Sequence, residues 1–385
     1  MKNDNNDLLC NKSNTKLKVA ILGVRGIPAC YGGFDTFIEE LALRLSKSND
    51  IELLIYCRSL YYKKRPKVIN GIKLVYLPSP RTKALESLLH SFLSSVHVLS
   101  QKVDIVYFVD PANAPFCLIL RLFRKTMIIH TDGLGWKRKK WSLMARRYYK
   151  FAEWLATKTA AALITDNPIM QEYYRNEYCT DSVYIPYGAS NHAGINESLL
   201  NQYSLSKKGY LLVVARLEPE NNTDLIIKGF NQSKTKLPLV IVGDSPYNPK
   251  HKEKLKEISD NRVHFVGHIF DQEKLNALYS NAYLYIHGHE VGGTNPSLLR
   301  AMNFGVAPVV IDVPFNRSVI ADCGFIFGYK SEELSSLIDY LVNSPNEVSN
   351  KGNKAKERAE ALFRWDFVIE KHKKLFYRLK TRKSN

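Results

Sequence analysis

Residues 287–302, HGHEVGGTNPSLLRAM, bring together two histidines, a glutamate, a Gly-Gly pair and a Thr-Asn-Pro step ahead of an apolar periodic run. A strand end, a glycine-rich turn and a helix start in succession present backbone N–H groups to an anion, phosphate above all. His289, Glu290, Gly292, Gly293, Thr294 and Asn295 are the candidate ligands, and Thr294 or Asn295 is placed to cap the helix opening at Pro296. The His-x-His step alone suits a metal, but no matched ligand cluster accompanies it, so no metal is expected. Arg300 adds a positive charge a few residues into the helix.

Three further loops carry chemistry. Arg216 ends an apolar run and is followed by Glu218, Glu220, Asn221 and Asn222, an arrangement that suits a diphosphate clamp, with a surface salt bridge as the alternative. Gly243 and Asp244 end another run, as a ligand loop or a plain turn. Near the start, GVRGIP (23–28) follows a strand and Gly32 and Gly33 open the next helix; Gly26 allows close backbone approach and Arg25 adds charge where phosphates would lie. The spacing is not GxGxxG, which excludes a dinucleotide fingerprint. Asp132, with Gly133 behind a strand, is placed to reach a reacting sugar.

Behind Asp132, Trp136, Lys137 and a run of lysines, arginines and aromatics extend to Trp154. On a helix, Trp141, Met144, Ala145, Tyr148, Ala152 and Leu155 trace an apolar stripe beside basic residues. Such a segment suits an anionic membrane surface or lipid acceptor, or else a core-facing helix with a charged outer side. Interleaved basic and aromatic residues also occur in nucleic-acid binders, but no module pattern of that class is present, and nucleic acid is not an expected partner.

The elements that position these loops repeat one grammar: apolar strand, tight turn, helical pattern. LKVAILGVRG (17–26) and GYLLVVARLEPENN (209–222) each open such a series, some 190 residues apart by sequence position. Strands are expected at 51–57, 71–78, 103–110, 126–130, 161–165 and 183–188, and then at 237–244, 262–267, 282–288, 307–311 and 324–328. Helices are expected at 84–100, 271–280, 297–304, 331–343 and 352–363. The pattern is α/β, doubly wound twice over. It divides into a lead-in (1–15), a Rossmann-like half (16–190), a polar linker (191–208), a second Rossmann-like half (209–364) and a C-terminal helix bridging back (365–385).

The formal net charge of +18 over 385 residues favours anionic partners such as nucleotide diphosphates or an anionic membrane. Six scattered cysteines without a CxxC pair fit a reducing compartment. The polar lead-in lacks the apolar region of a secretory signal, and no apolar run approaches the ~20 residues of a membrane span. A cytoplasmic protein, peripheral to the inner face of the membrane, is expected.

The strings GVRGIPACYGGFDTFIEELALRL, DGLGWKRKKW, ITDNP, IPYGA, ARLEPENN, IVGD, HGHEVGGTNPSLLRAMNFG and FRWDFVIEKHKKLFYRL, in this order, cover nearly the whole chain. On these the chain resembles GT4-type glycosyltransferases, most closely the bacterial rhamnosyltransferase subgroup of capsule and O-antigen biosynthesis. The resemblance implies a GT-B fold, two Rossmann-like domains facing a cleft, with the nucleotide sugar on the second and the acceptor on the first. It implies retention of anomeric configuration without a metal or other cofactor, with dTDP-rhamnose or a UDP-hexose as donor and a polyprenyl-diphosphate-linked glycan as acceptor. By the same match Arg216 contacts the diphosphate, Gly32 and Gly33 line the cleft, residues 292–295 meet donor sugar and phosphate, and Asp132 lies near the reaction centre. Four positions depart from the wider pattern: Asn221 stands for a lysine, Gly292 for a first carboxylate, Gly135 for the glutamate of DGLEWKR, and Arg300 for the glutamate that binds ribose. Arg300 is then either a phosphate contact or a charge that leaves the site unable to serve, and the second case implies a binding or scaffold protein.

Overall fold

The computed structural model describes residues 16–384 apart from 31, 81, 83–84, 132, 139–140, 190–195 and 246–247. The lead-in, Asp132, Lys139, Lys140 and the first part of the expected linker therefore lie outside the described residues.

Strands β1 (Leu17–Leu22), β2 (Ile51–Arg58), β3 (Val68–Ile69), β4 (Ile72–Leu77), β5 (Ile105–Val109), β6 (Thr126–His130), β7 (Ala162–Thr165) and β8 (Val183–Tyr184) form one sheet. Its order is β3-β4-β2-β1-β5-β6-β7-β8, parallel except for the β3-β4 pair. The strands β9 (Leu211–Val214), β10 (Leu239–Val242), β11 (Val263–Gly267), β12 (Leu284–His287), β13 (Ala307–Ile311) and β14 (Phe325–Phe327) form a second, all-parallel sheet in the order β11-β10-β9-β12-β13-β14. Central strands such as β5 (IVYFV) and β13 (APVVI) are buried along their whole length, which is why they read as unbroken apolar runs.

Helices cover both faces. The first half carries α1 (Gly33–Leu45), α2 (Leu85–Leu99), α3 (Ala114–Leu122), α4 (Leu143–Thr159) and α5 (Pro168–Tyr178). The second carries α6 (Thr223–Gln232), α7 (Pro249–Glu257), α8 (Gln272–Asn281), α9 (Pro296–Asn303), α10 (Pro314–Ile320), α11 (Ser331–Val342) and α12 (Pro345–Leu362). Helix α1 buries Phe37, Ile38, Leu41, Ala42 and Leu45, a stripe at helical spacing.

The last helix, α13 (Trp365–Ser384), lies on the first half. Val368, His372, Leu375, Phe376 and Leu379 form its buried side, and Trp365 stacks on Phe37 of α1 with ring centroids 5.6 Å apart. His372 and His130 both approach the Tyr107 hydroxyl, at 3.3 and 2.5 Å. Each fully buried large apolar side chain of this helix contributes about 1.5–3 kcal/mol. Helix α13 thus fastens the end of the chain to the β5 and β6 strands beside the interdomain cleft.

Two details differ from the sequence reading. Residues 197–203, placed in the linker, form a 3-10 turn that buries Leu200 beside α8. On α4 the apolar stripe splits between the two alternatives: Met144 is 82% exposed, whereas Ala152 and Leu155 face the core. No helix among the described residues is long and apolar enough to cross a membrane.

Candidate active site

Each sheet reverses its winding once, between β1 and β5 in the first and between β9 and β12 in the second. Open parallel sheets bind ligands at such switch points, outside the carboxyl ends of the strands. Here the two points face each other. Loop 23–28 follows β1, Arg216 follows β9, and the 288–295 loop follows β12.

On the second half, Gly243 packs the end of β10 against the Arg216 loop. Its φ is +149°, and an added Cβ would fall 1.8 Å from the Ala215 carbonyl oxygen. Asn221 donates from Nδ2 to the Arg216 carbonyl at 2.6 Å, so it shapes the arginine's own turn. Asn222, at φ +51°, donates from Nδ2 to Gly288 O at 2.9 Å and to the Glu290 carboxylate at 3.2 Å. The Glu290 N–H donates to Glu220 O at 3.1 Å, which pins the β9 and β12 loops together. Glu220 itself is 2% exposed, and neither of its carboxylate oxygens has a hydrogen-bond partner among the described residues.

His287 and His289 stack with centroids 4.3 Å apart and rings 10° from parallel. Burial pushes the His287 pKa down to about 3, and burial, His287 and the positive Arg216 hold His289 well below the usual imidazole range. Both rings are neutral at pH 7. Among the described residues no group of three or more His, Cys, Asp and Glu side chains is arranged to hold a metal ion.

The glycine loop reaches across the cleft. An added Cβ on Gly133 would lie 2.3 Å from Gly292 Cα, one on Gly33 would lie 3.3 Å from Pro296 Cγ, and one on Gly293 would lie 1.9 Å from Asp166 Oδ1. Asp166, at the end of β7, accepts the Thr294 N–H at 2.9 Å, and its carbonyl accepts the Thr294 hydroxyl at 2.6 Å. Asn167 adds a second link, accepting from the Ser318 hydroxyl at 3.1 Å. The Thr294 N–H therefore already meets an anion, the Asp166 carboxylate. Neither Thr294 nor Asn295 caps α9 with its side chain; Asn295 occupies the N-cap position without a side-chain bond.

Arg216, Asn222, Gly243, His289, Glu290, Gly292, Gly293, Thr294 and Asn295 thus share one set of loops, opposed by Gly33 and Gly133. The other expected residues, assigned to the acceptor side, make contacts within the first half. Arg25 pairs with the buried Asp35 of α1 at 2.8 Å, and Gly32 lies beside its guanidinium. Gly26 serves a tight turn, since a Cβ there would fall 2.6 Å from Cys57 Sγ. Trp136 donates to the Tyr173 hydroxyl at 3.2 Å, with the exposed Lys137 over its ring at 5.4 Å. Gly135 abuts Tyr149: an added Cβ would lie 2.7 Å from that ring, which leaves no room for a glutamate in this packing.

Arg300 is the sharpest difference from expectation. Its guanidinium donates to Gln272 Oε1 at 2.9 Å and to Asn276 Oδ1 at 3.1 Å, and it lies 5.3 Å from the Tyr279 ring centre. It binds α9 to α8. Sequence reasoning also left Asp166 without a role, although its position directly after a strand and before Asn-Pro marks a loop at the carboxyl end of that strand.

Two Rossmann-like halves with opposed switch points define a GT-B fold. Residues 197–359 match the family Glycosyl transferases group 1, and residues 16–190 match a Domain of unknown function (DUF1972). The second half is thus similar to the group 1 glycosyltransferases, and the first to a family without an assigned function. The fold is similar to that of a sucrose-phosphate synthase from Thermosynechococcus elongatus, at TM-score 0.81 and 18% identity over 95% of this chain and 100% of that one. It is also similar to HepE of Anabaena in complex with UDP-glucose (TM-score 0.75, 14% identity, 93% and 99% covered). A third similar structure is WaaG, a glycosyltransferase involved in lipopolysaccharide biosynthesis (TM-score 0.68, 15% identity, 91% and 98% covered). No curated protein matches the sequence.

Proposed function

We propose that the protein is a retaining glycosyltransferase that moves rhamnose or another hexose from a nucleotide-diphosphate sugar to a polyprenyl-diphosphate-linked glycan in capsule or O-antigen synthesis. The observation that carries this reading is the meeting of Arg216 and the 288–295 loop at the β9/β12 switch point, with glycines of the first half laid directly against them. That arrangement suits a diphosphate held on the second half, and similar folds have been solved with UDP and UDP-glucose. The donor is dTDP-rhamnose or a UDP-hexose; the acceptor enters from the first half.

On this reading Arg216 and backbone N–H groups of the glycine loop stabilise charge developing on the departing diphosphate. The neutral His289 offers a hydrogen bond without further charge. The acceptor hydroxyl attacks the anomeric carbon on the face the diphosphate leaves, and a phosphate oxygen takes its proton, so the protein's work is mainly orientation. By the resemblance, Asp132 is the residue assigned to the reaction centre. Gly135 and Arg300, the departures that raise a non-catalytic reading, each have a packing role.

Incubation with dTDP-, UDP- and GDP-sugars and a lipid-linked acceptor tests the proposal. Transfer with retained configuration is expected. Absence of both transfer and donor hydrolysis, with no nucleotide-diphosphate binding by calorimetry, refutes it in favour of a scaffold.

A further inference from the structure

Helix α2 is built inside out. It buries His90, Ser91, Ser94 and Ser95, while Leu89, Phe92 and Val96 are 43%, 41% and 47% exposed. Ser94 and Ser95 turn their hydroxyls back to the carbonyls of His90 and Ser91, each at 2.7 Å, so the inward side meets part of its hydrogen bonding within the helix. A helix covering a sheet in water ordinarily shows the opposite pattern.

The apolar stripe does not stop at α2. Phe92 meets Phe116 of α3, ring centroids 6.2 Å apart, and Leu118, Leu122 and Phe123 continue outward. On α4, Leu143, Met144, Phe151 and Trp154 are exposed, with the last two rings 5.9 Å apart. Ten of the seventeen exposed large apolar side chains among the described residues thus lie on three successive helices, and a concentration of that kind marks an interaction surface.

Charge selects the occupant. Arg121, Arg124, Arg147 and Lys158 are exposed on or beside α3 and α4. The acidic residues of the three helices turn inward: Glu86 pairs with the buried Arg58 at 2.7 Å, and Glu153 is 1% exposed. A second copy of the chain would bring the same basic rim and a like net charge of +18, so two such faces repel.

We propose that the α2–α3–α4 face seats on an anionic lipid bilayer, its apolar side chains entering the headgroup–acyl boundary and its arginines and lysine meeting lipid phosphates. The inference extends the lipid-linked acceptor reading. Leu143 and Met144 lie shortly after the 133–138 loop that touches Gly292, so the seat adjoins the cleft.

Flotation of the full chain with phosphatidylcholine vesicles, with and without phosphatidylglycerol, tests it. Binding is expected with phosphatidylglycerol and is weakened by salt. The triple variant Phe92→Ser, Leu122→Ser, Met144→Ser is expected to lower partitioning at least about tenfold, with an unchanged melting temperature. If the triple variant misfolds, Leu122→Ser, at a position 83% exposed, is expected to give a smaller loss in the same direction. Equal binding to both vesicle types, no binding, or unaltered binding by the variants overturns the proposal, as does a dimer that the triple variant abolishes in the absence of vesicle binding. Nucleotide binding is measured separately: vesicle binding without any transfer refutes the proposed function alone, and transfer to a soluble acceptor without vesicle binding refutes the membrane seat alone.

Discussion

Asp166→Ala removes the acceptor that holds the glycine loop against the first half. Asp166 is 1% exposed and Thr294 3%, so the Thr294 N–H loses a charged partner in a place water reaches poorly. A hydrogen bond to a charged group contributes about 1.5–3 kcal/mol, while the bond between the Thr294 hydroxyl and the Asp166 carbonyl remains. The closed arrangement should weaken by about 10- to 150-fold relative to an open one. Asp166→Asn keeps an oxygen acceptor and should cost less. Gly293→Ala attacks the same clasp from the other side, because its Cβ would fall 1.9 Å from Asp166 Oδ1. The double variant should therefore lose little more than the worse single one, the signature of a shared interaction. Small-angle scattering of the free protein should show expansion in both single variants, and turnover should fall while nucleotide affinity, set on the second half, changes less than about threefold. Unchanged scattering and turnover would refute the clasp. Equal losses of affinity and turnover would instead make Asp166 a donor contact.

Arg300→Glu should act on stability rather than on the donor. It removes the hydrogen bonds to Gln272 and Asn276 and the contact with Tyr279, about 2–4 kcal/mol together, and should lower the melting temperature with nucleotide affinity unchanged. A fall in affinity without a fall in melting temperature would return Arg300 to the binding site. Glu153 gives a pH-dependent signature. Burial pushes its pKa from 4.5 up to about 7, although it accepts from the Tyr173 and Tyr178 hydroxyls at 2.8 and 3.1 Å. Between these values the folded state keeps a proton that the unfolded state releases, so this group's contribution to stability falls as pH rises from 4.5 to 7. Glu153→Gln should be more stable than the parent by about 1–3 kcal/mol at pH 8 and much closer to it at pH 4; denaturant unfolding that finds the variant weaker at pH 8 would sink the argument.

The parallel strand series was legible because buried parallel strands are short apolar runs, whereas the two-residue antiparallel β3 at the sheet edge was not read. Helices α3, α5, α7 and α10 were not read. In α3, APFCLILRL is apolar nearly throughout and offers no clear period. Helices α5 and α7 open on Asn-Pro, a step that also marks turns; here Asn167 and Asn248 cap, accepting from the N–H groups of Ile169 and His251. Helix α2 was legible as a helix, but periodicity reveals two faces without saying which one turns inward. The same limit governed the site. Glycine-rich turns at strand ends were visible, whereas the partners of Arg25, Asp166 and Arg300 come from residues ten to 128 positions away.

Those partners change how the cleft works on the proposed reading. The sequence places three arginines on or just behind ligand loops: Arg25, Arg216 and, in α9, Arg300. Asp35 takes the first, and the amide oxygens of α8 take the third. His287 and His289 add no charge because burial keeps them neutral. On that reading Arg216 and backbone N–H groups of the glycine loop meet the diphosphate, which suits glycines where close approach is needed. Backbone dipoles fixed by Asn222, Asn221 and the Asp166 clasp need little reorganisation when charge develops on a leaving group, whereas a long mobile lysine would have to be ordered first. Where the resemblance would put a lysine, Asn221 supplies rigidity in place of a cation: its side chain holds the Arg216 carbonyl and so the turn that carries the arginine.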